Sequence, residues 1–209
     1  MSTKQKVIQV ESGLNHTLVL THKNNVYCMG SNDRGQLGLN DDMDRNVPSH
    51  IDSKYFNHEK IIQISCASDH SLALSKNGNV YSWGSSDHGE LGHGDKLSKN
   101  VPTKISPCFF NYESVKTIHT GLFVSIASTE NNNIYIWGEN DCGSSYFGSS
   151  SGNLNPAVID ANTYNNETII KISCKRSHIL LLTQNQNSTK LYSWGFNMFG
   201  TLGLGHKKK

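Results

Sequence analysis

The stretch YSWGSSDHGELGHGD, Tyr81–Asp95, holds four glycines, two histidines and three acidic residues in fifteen positions. Such density suggests a phosphate loop or a metal site. Gly84 and Gly89 have the spacing of a G-x-x-x-x-G-K-[ST] loop, but Glu90 and Leu91 follow where the lysine and hydroxyl should stand. A carboxylate there would repel the phosphate. Asp87, His88, His93 and Asp95 could in principle ligate a metal, yet they lack paired cysteines and the i, i+4 histidine spacing that a helix presents. The expectation is therefore no metal and no cofactor, and what decides it is that the stretch is not unique.

Three further copies exist: YCMGSNDRGQLGLND from Tyr27, YIWGENDCGSSYFGS from Tyr135 and YSWGFNMFGTLGLGH from Tyr192. Their leading glycines, Gly30, Gly84, Gly138 and Gly195, are separated by 54, 54 and 57 residues. Val10, Ile64, Ile118 and Ile172 keep the step of 54, as do His16, His70, Val124 and His178, and Pro48, Pro102 and Pro156. The three extra residues of the last unit fall between His178 and Gly195, in the polar stretch TQNQNSTK, where a loop lengthens with little penalty. One active site would not be written four times.

Within each unit the apolar residues form short runs, such as IIQIS, SLALS and NVYSW in the second copy. These runs alternate or are β-branched and aromatic, end in Asn, Gly, Lys or Ser, and keep no 3.6-residue stripe, so they read as strands. Asn77-Gly78 separates two of them as a tight hairpin requires, with Asn24-Asn25 and Asn131–Asn133 in the matching places. A fourth strand around Val47-Pro48 and Val101-Pro102 suits an outer edge, where proline's missing N–H does no harm. Tandem four-stranded antiparallel units, none able to cover both faces alone, predict an all-β fold, a β-propeller rather than a solenoid of shorter coils.

Three segments, GLNHTLVL, ASDHSLAL and KRSHILLL, each precede Y-x-[WM]-G, and then G-x-L-G follows. This composite pattern, covering nearly the whole chain, resembles the regulator-of-chromosome-condensation repeat. The resemblance implies a propeller of seven-bladed type. It also implies either a non-catalytic protein-interaction module or a guanine-nucleotide exchange factor for a Ran-type small GTPase docked on chromatin. Carried onto this sequence, the GTPase-facing turn positions are Asn15, His16, Asp69, His70, Ser177 and His178. Only Asp69-His70 pairs an acid with an imidazole, and loops this short offer no equivalent of the wedge an exchange factor inserts. The interaction module is accordingly the leading expectation.

The residues themselves suggest mainly structural roles. Trp83, Trp137 and Trp194 are expected to fill space between adjacent sheets, with Gly30, Gly84, Gly138 and Gly195 allowing close approach or positive φ. Met29 stands in the tryptophan position of the first copy. The recurrent histidines are expected to hydrogen-bond backbone within their own units. The third copy departs from the pattern at CGSSYFG, where Tyr146 and Phe147 would display interface-type aromatics on a partner-binding loop.

Length adds a constraint: 209 residues hold four units. They read as a single propeller-type domain, residues 1–209, with periods of 7–60, 61–114, 115–168 and 169–206 and a basic tail at 207–209. At one seventh of a turn each, four blades span roughly 200°. The final blade ends before its fourth strand. The expectation is an incomplete ring that self-associates, is a fragment, or is completed by another chain. Apolar residues at 35% and charged residues at 17% indicate a globular protein. No run nears the roughly eighteen apolar residues of a membrane span, and no signal-peptide core is evident, so membrane partners are not expected and the location is intracellular, cytoplasmic or nuclear. Five cysteines without C-x-x-C fit neither a disulfide framework nor a zinc finger; Cys66 and Cys174, both in ISC, read as core fillers. Net charge is 19 minus 17, or +2, and without Lys207–Lys209 it is −1, so the folded part offers no direct nucleic-acid surface.

Overall fold

A computed structural model describes residues 5–139, 152–175 and 178–207. The first blade comprises β1 (Val7–Ser12), β2 (His16–Thr21), β3 (Val26–Gly30) and β4 (Arg45–His50). The second comprises β5 (Ile61–Cys66), β6 (His70–Ser75), β7 (Val80–Gly84) and β8 (Lys99–Lys104). The third has β9 (Val115–Thr120), β10 (Val124–Thr129), β11 (Ile134–Gly138) and β12 (Asn153–Ile159). The fourth has β13 (Thr168–Lys175), β14 (His178–Gln184) and β15 (Thr189–Gly195). Every sheet is an antiparallel meander in sequence order, four-stranded in the first three blades and three-stranded in the fourth. The molecule is an open arc of propeller blades.

Local chemistry explains the meander. The turns β2–β3, β6–β7 and β10–β11 each need one residue in the left-handed region, and Asn24, Gly78 and Asn132 supply it at φ of 63°, 77° and 67°. In the fourth unit the extra residues lengthen the hairpin itself. β14 has seven residues where β2 has six, β15 has seven where β3 has five, and the ladder continues to Gln184 opposite Thr189. The insertion is thus absorbed as paired strand, not as loop, because each added residue finds a backbone partner across the hairpin.

After the fourth strand of each complete blade comes a 3-10 turn that the strand pattern did not reveal: Ser53–Phe56, Pro107–Phe110 and Ala161–Tyr164. Each ends at an asparagine with positive φ, Asn57, Asn111 or Asn165. The turns drop an aromatic ring into the next seam, Phe56 edge-on to Tyr81 and Trp83, and Phe110 edge-on to Tyr135 and Trp137.

The core lies in the seams between blades. In the first seam Leu18, Leu20 and Val26 meet Ile64, Ala73 and Trp83. Leu72 and Val80 meet Ile118 and Trp137 in the second, and Ile126 and Ile134 meet Ile172 and Leu181 in the third. The burial of repeat-equivalent residues follows from this stacking. Ile64 is 0% exposed against the first blade, whereas its counterpart Val10 is 58% exposed; Val26 is 1% exposed, whereas Leu191, its counterpart in the fourth blade, is 66% exposed. The two outer faces of the arc therefore display apolar side chains of the kind the seams bury.

Candidate protein-interaction face

The turns β1–β2, β5–β6 and β9–β10 and the loops β3–β4 and β7–β8 emerge at the same end of the arc, forming a loop face. Asn15, Asp69 and Phe123 occupy the same repeat position there; Asn15 is exposed, and Asp69 and Phe123 are half-buried. Their fourth counterpart, Ser177, lies outside the described residues, as do Tyr146 and Phe147.

His16 and His70, which follow Asn15 and Asp69, point inward. His16 and His70 are buried, and His178 is half-buried. His16 Nε2 lies 2.9 Å from Ser71 Oγ and His70 Nε2 lies 3.0 Å from Ser125 Oγ, in each case a serine of the following blade. The expected bond to backbone within the histidine's own unit is replaced by a bond across the seam, because the ring lies in the packed interface instead of curling back over its turn. Ser71 Oγ donates to the Gln36 carbonyl at 3.0 Å, and Ser125 Oγ donates to the Glu90 carbonyl at 2.8 Å. The imidazole Nε2–H must then donate to the serine, leaving a buried Nδ1 with no partner among the described residues. Burial pushes the His16 pKa down to about 4 and the His70 pKa to about 3, so both rings are neutral at pH 7.

The same two carbonyls receive the indoles. Trp83 Nε1 donates to the Gln36 carbonyl and Trp137 Nε1 to the Glu90 carbonyl, both at 2.9 Å. Meanwhile the Gln36 and Glu90 side chains accept from Arg34 N and His88 N, each at 2.8 Å, so they brace the loop from within. Glu90 is buried, which pushes its carboxyl pKa upward. Gly92 shows why glycine is needed beside this latch: its φ is +74°, and a Cβ there would lie 2.7 Å from Trp137 Nε1. Among the described residues Trp194 Nε1 has no acceptor; residue 144, which the period matches to Gln36 and Glu90, lies outside them.

The third seam is built differently. Val124 stands where His16 and His70 stand, and Ile179 stands where Ser71 and Ser125 stand; both are buried in one apolar cluster. The hydrogen-bonding pair has been replaced as a pair, so neither Val124 nor Ile179 brings a polar side-chain group that needs a partner.

On the surface of the loop face, Arg34 pairs with Asp87 at 3.4 Å across the first seam. His88 stacks on Phe123 with centroids 4.3 Å apart and lies 3.8 Å from the Glu139 carboxylate, bridging the second seam. Asp69 accepts from Ser68 Oγ at 2.8 Å. His93 is drawn instead to Ser82 Oγ at 2.9 Å, and Asp95 caps Leu97 N at 3.0 Å. Asp87, His88, His93 and Asp95 are thus held by four different sets of partners, and among the described residues no three His, Cys, Asp or Glu side chains gather as a metal site. Large apolar side chains project at the loop end: Leu14 at 68% exposed, Phe199 at 76%, and also Met43 and Leu97. Met43 and Leu97 are 54 residues apart, a periodic signal that sequence reading overlooked because neither interrupts a strand. Cys66 and Cys174 are buried, and burial pushes each thiol up to about 12. No helix among the described residues is long and apolar enough to cross a membrane.

The chain is 30% identical to the ultraviolet-B receptor UVR8 of Arabidopsis thaliana over 204 residues, 97% of this chain and 44% of that protein. Among solved structures, human WBSCR16 superposes with a TM-score of 0.84 at 25% identity, covering 100% of this chain and 52% of the other. Prp20p of Saccharomyces cerevisiae superposes with a TM-score of 0.71 at 24% identity over 90% of this chain and 43% of that one, a likeness of fold. The chain spans less than half the length of the curated relatives it matches. A family model for the RCC1-like domain matches residues 1–209. With four glycine-punctuated repeats, three of them carrying the tryptophan, folded as propeller blades, the chain belongs to the RCC1-like domain family.

Proposed function

We propose that the chain is a non-catalytic protein-interaction module that engages another protein through its loop face. One observation carries this reading: the His16 and His70 imidazoles are locked into the seams as neutral donors, while the loop end of the arc presents exposed Leu14, Met43, Leu97 and Phe199 as well as the Arg34–Asp87 and His88–Phe123 contacts. Exposed apolar side chains on a face that also carries charged and aromatic groups suit recognition of a protein surface. The Tyr146 and Phe147 loop would extend the same surface. The module is intracellular, and the outer apolar faces of the arc, around Val10 and Leu191, are covered by a second copy or by another polypeptide. The test is affinity capture from cell extract with wild type, Leu14→Asp/Leu97→Asp and Tyr146→Ala/Phe147→Ala. Partners retained equally by all three would overturn the assignment to this face.

A second reading, nucleotide exchange on a Ran-type GTPase, is supported by the half-buried Asp69 on the loop face and by the likeness to Prp20p, whose structure was described together with its binding to Gsp1p and histones. It would rest on Asp69 and Asn15, since His70 lies beneath the surface. Fluorescent GDP release from a Ran-type GTPase, unchanged by stoichiometric protein, excludes it.

A further inference from the structure

The inner strands β1, β5 and β9 are joined by glutamine clamps. Gln9 Nε2 donates to the Ile64 carbonyl at 2.8 Å and Gln9 Oε1 accepts from Ile64 N at 2.9 Å. One blade later, Gln63 makes the same two bonds to Ile118, at 2.8 and 3.0 Å. A side-chain carboxamide, donor and acceptor side by side, thus satisfies an inner-strand peptide group that faces the preceding blade.

The third seam lacks this clamp. By the period, Thr117 takes the place of Gln9 and Gln63, and Ser128 takes that of Leu20 and Leu74, which fill the first two seams. Both replacements are truncations, and Thr117 Oγ1 and Ser128 Oγ bond each other at 2.6 Å. His119 Nε2 lies 3.2 Å from the same threonine oxygen. What remains is a cavity of about 300 Å³ between the third and fourth blades, lined by Lys116, Thr117, His119, Ser128, Asn132 and Ile172. Ile172 pairs with Leu181 as Ile64 pairs with Ala73, so its N–H and C=O face this cavity in the same sense. No side chain among the described residues makes the two bonds to Ile172 that Gln9 and Gln63 make to its counterparts.

We propose that this cleft is a binding site for a primary carboxamide, the side chain of a glutamine presented by a partner peptide, paired with Ile172 N–H and C=O. The cavity has room for the group that both truncations removed, and although Ile169 and Ile170 also line it, Thr117, His119, Ser128 and Asn132 offer hydrogen-bonding groups that an amide can use and an alkyl chain cannot. A carboxylate would be drawn by Lys116 and by Lys171 at the rim. Once seated, however, its second oxygen would oppose the Ile172 carbonyl, acceptor against acceptor. Glutamine and glutamate therefore distinguish amide pairing from simple attraction by the lysines. The site is separate from the loop face and does not depend on its function.

The test is titration of the 15N-labelled full chain with N-acetyl-glutamine methylamide, followed at the backbone amides of Thr117, Lys171 and Ile172. Saturable shifts confined to this cleft are expected, with the matching glutamate derivative at least about tenfold weaker, as expected when a buried acceptor is left opposed. Thr117→Gln, which restores the chain's own carboxamide, should abolish those shifts and raise the thermal midpoint. Glutamate binding as tightly as glutamine, absence of saturable shifts, or undiminished binding by a folded Thr117→Gln variant would overturn the proposal. Should that variant not fold, the comparison of the two ligands on the wild type decides alone.

Discussion

Replacing the His70–Ser125 latch with the pair found one seam further on, His70→Val with Ser125→Ile, should change how stability responds to acid. In the folded chain His70 resists protonation down to about pH 3, whereas the unfolded residue titrates near its ordinary 6.5. A depressed folded-state value means that the contribution is fully present above pH 6.5. It is lost progressively as pH falls from there, because only the unfolded chain takes up the proton. Between pH 7 and pH 5 the loss is about 2 kcal/mol for a single such histidine, from about 1.4 kcal/mol per pH unit below the unfolded pKa. His16 and His119, each held down to about 4 by burial, add losses of the same order in both proteins and cancel in the comparison. Urea unfolding followed by tryptophan emission at pH 7 and pH 5 should therefore show the double variant losing about 2 kcal/mol less than wild type on acidification. At pH 7 the double variant should lie close to wild type, since both partners of one hydrogen bond are removed together and the partnerless Nδ1 of His70 disappears with them. Equal acid sensitivity in the two proteins would refute the latch as drawn.

Gly92→Ala should cost about 3 kcal/mol, combining a left-handed backbone with a displaced Trp137 ring, and should shift the tryptophan emission of the folded state. Glu113 accepts from Thr129 Oγ1 at 2.5 Å, Asn133 Nδ2 at 3.0 Å and Tyr135 OH at 3.2 Å. Glu113→Ala should therefore destabilise by about 2 kcal/mol in urea unfolding, and Glu113→Gln by less than half of that. The first blade supplies the precedent, for Gln5 Oε1 alone accepts from Thr21 Oγ1 and Asn25 Nδ2 at the equivalent place.

What could be read from the sequence was whatever depends on backbone conformation or strand alternation. Gly84 must be glycine because its φ is +101° and a Cβ would meet the Asp69 carbonyl at 2.3 Å; such a requirement imposes one residue type at a fixed step. Contacts across seams were less legible. His16 finds its partner 55 residues later, a distance set by how sheets stack and not by any local pairing. The swap to Val124 and Ile179 becomes meaningful only once that contact is known. Phe56, Phe110 and Tyr164, each followed by asparagine, did keep the step of 54, but a four-residue turn leaves no helical period to detect. Thr117 and Ser128 look like ordinary polar strand residues until the clamp they omit is seen in the neighbouring blades.

The paired indole bonds also make the molecule its own optical probe. Trp83 touches the backbone of the first blade's loop through Gln36, and Trp137 that of the second blade's through Glu90. Each fluorophore thus senses the surface segment of its predecessor rather than its own. Single-tryptophan versions would report, without a dye, which loop is disturbed when something docks above it.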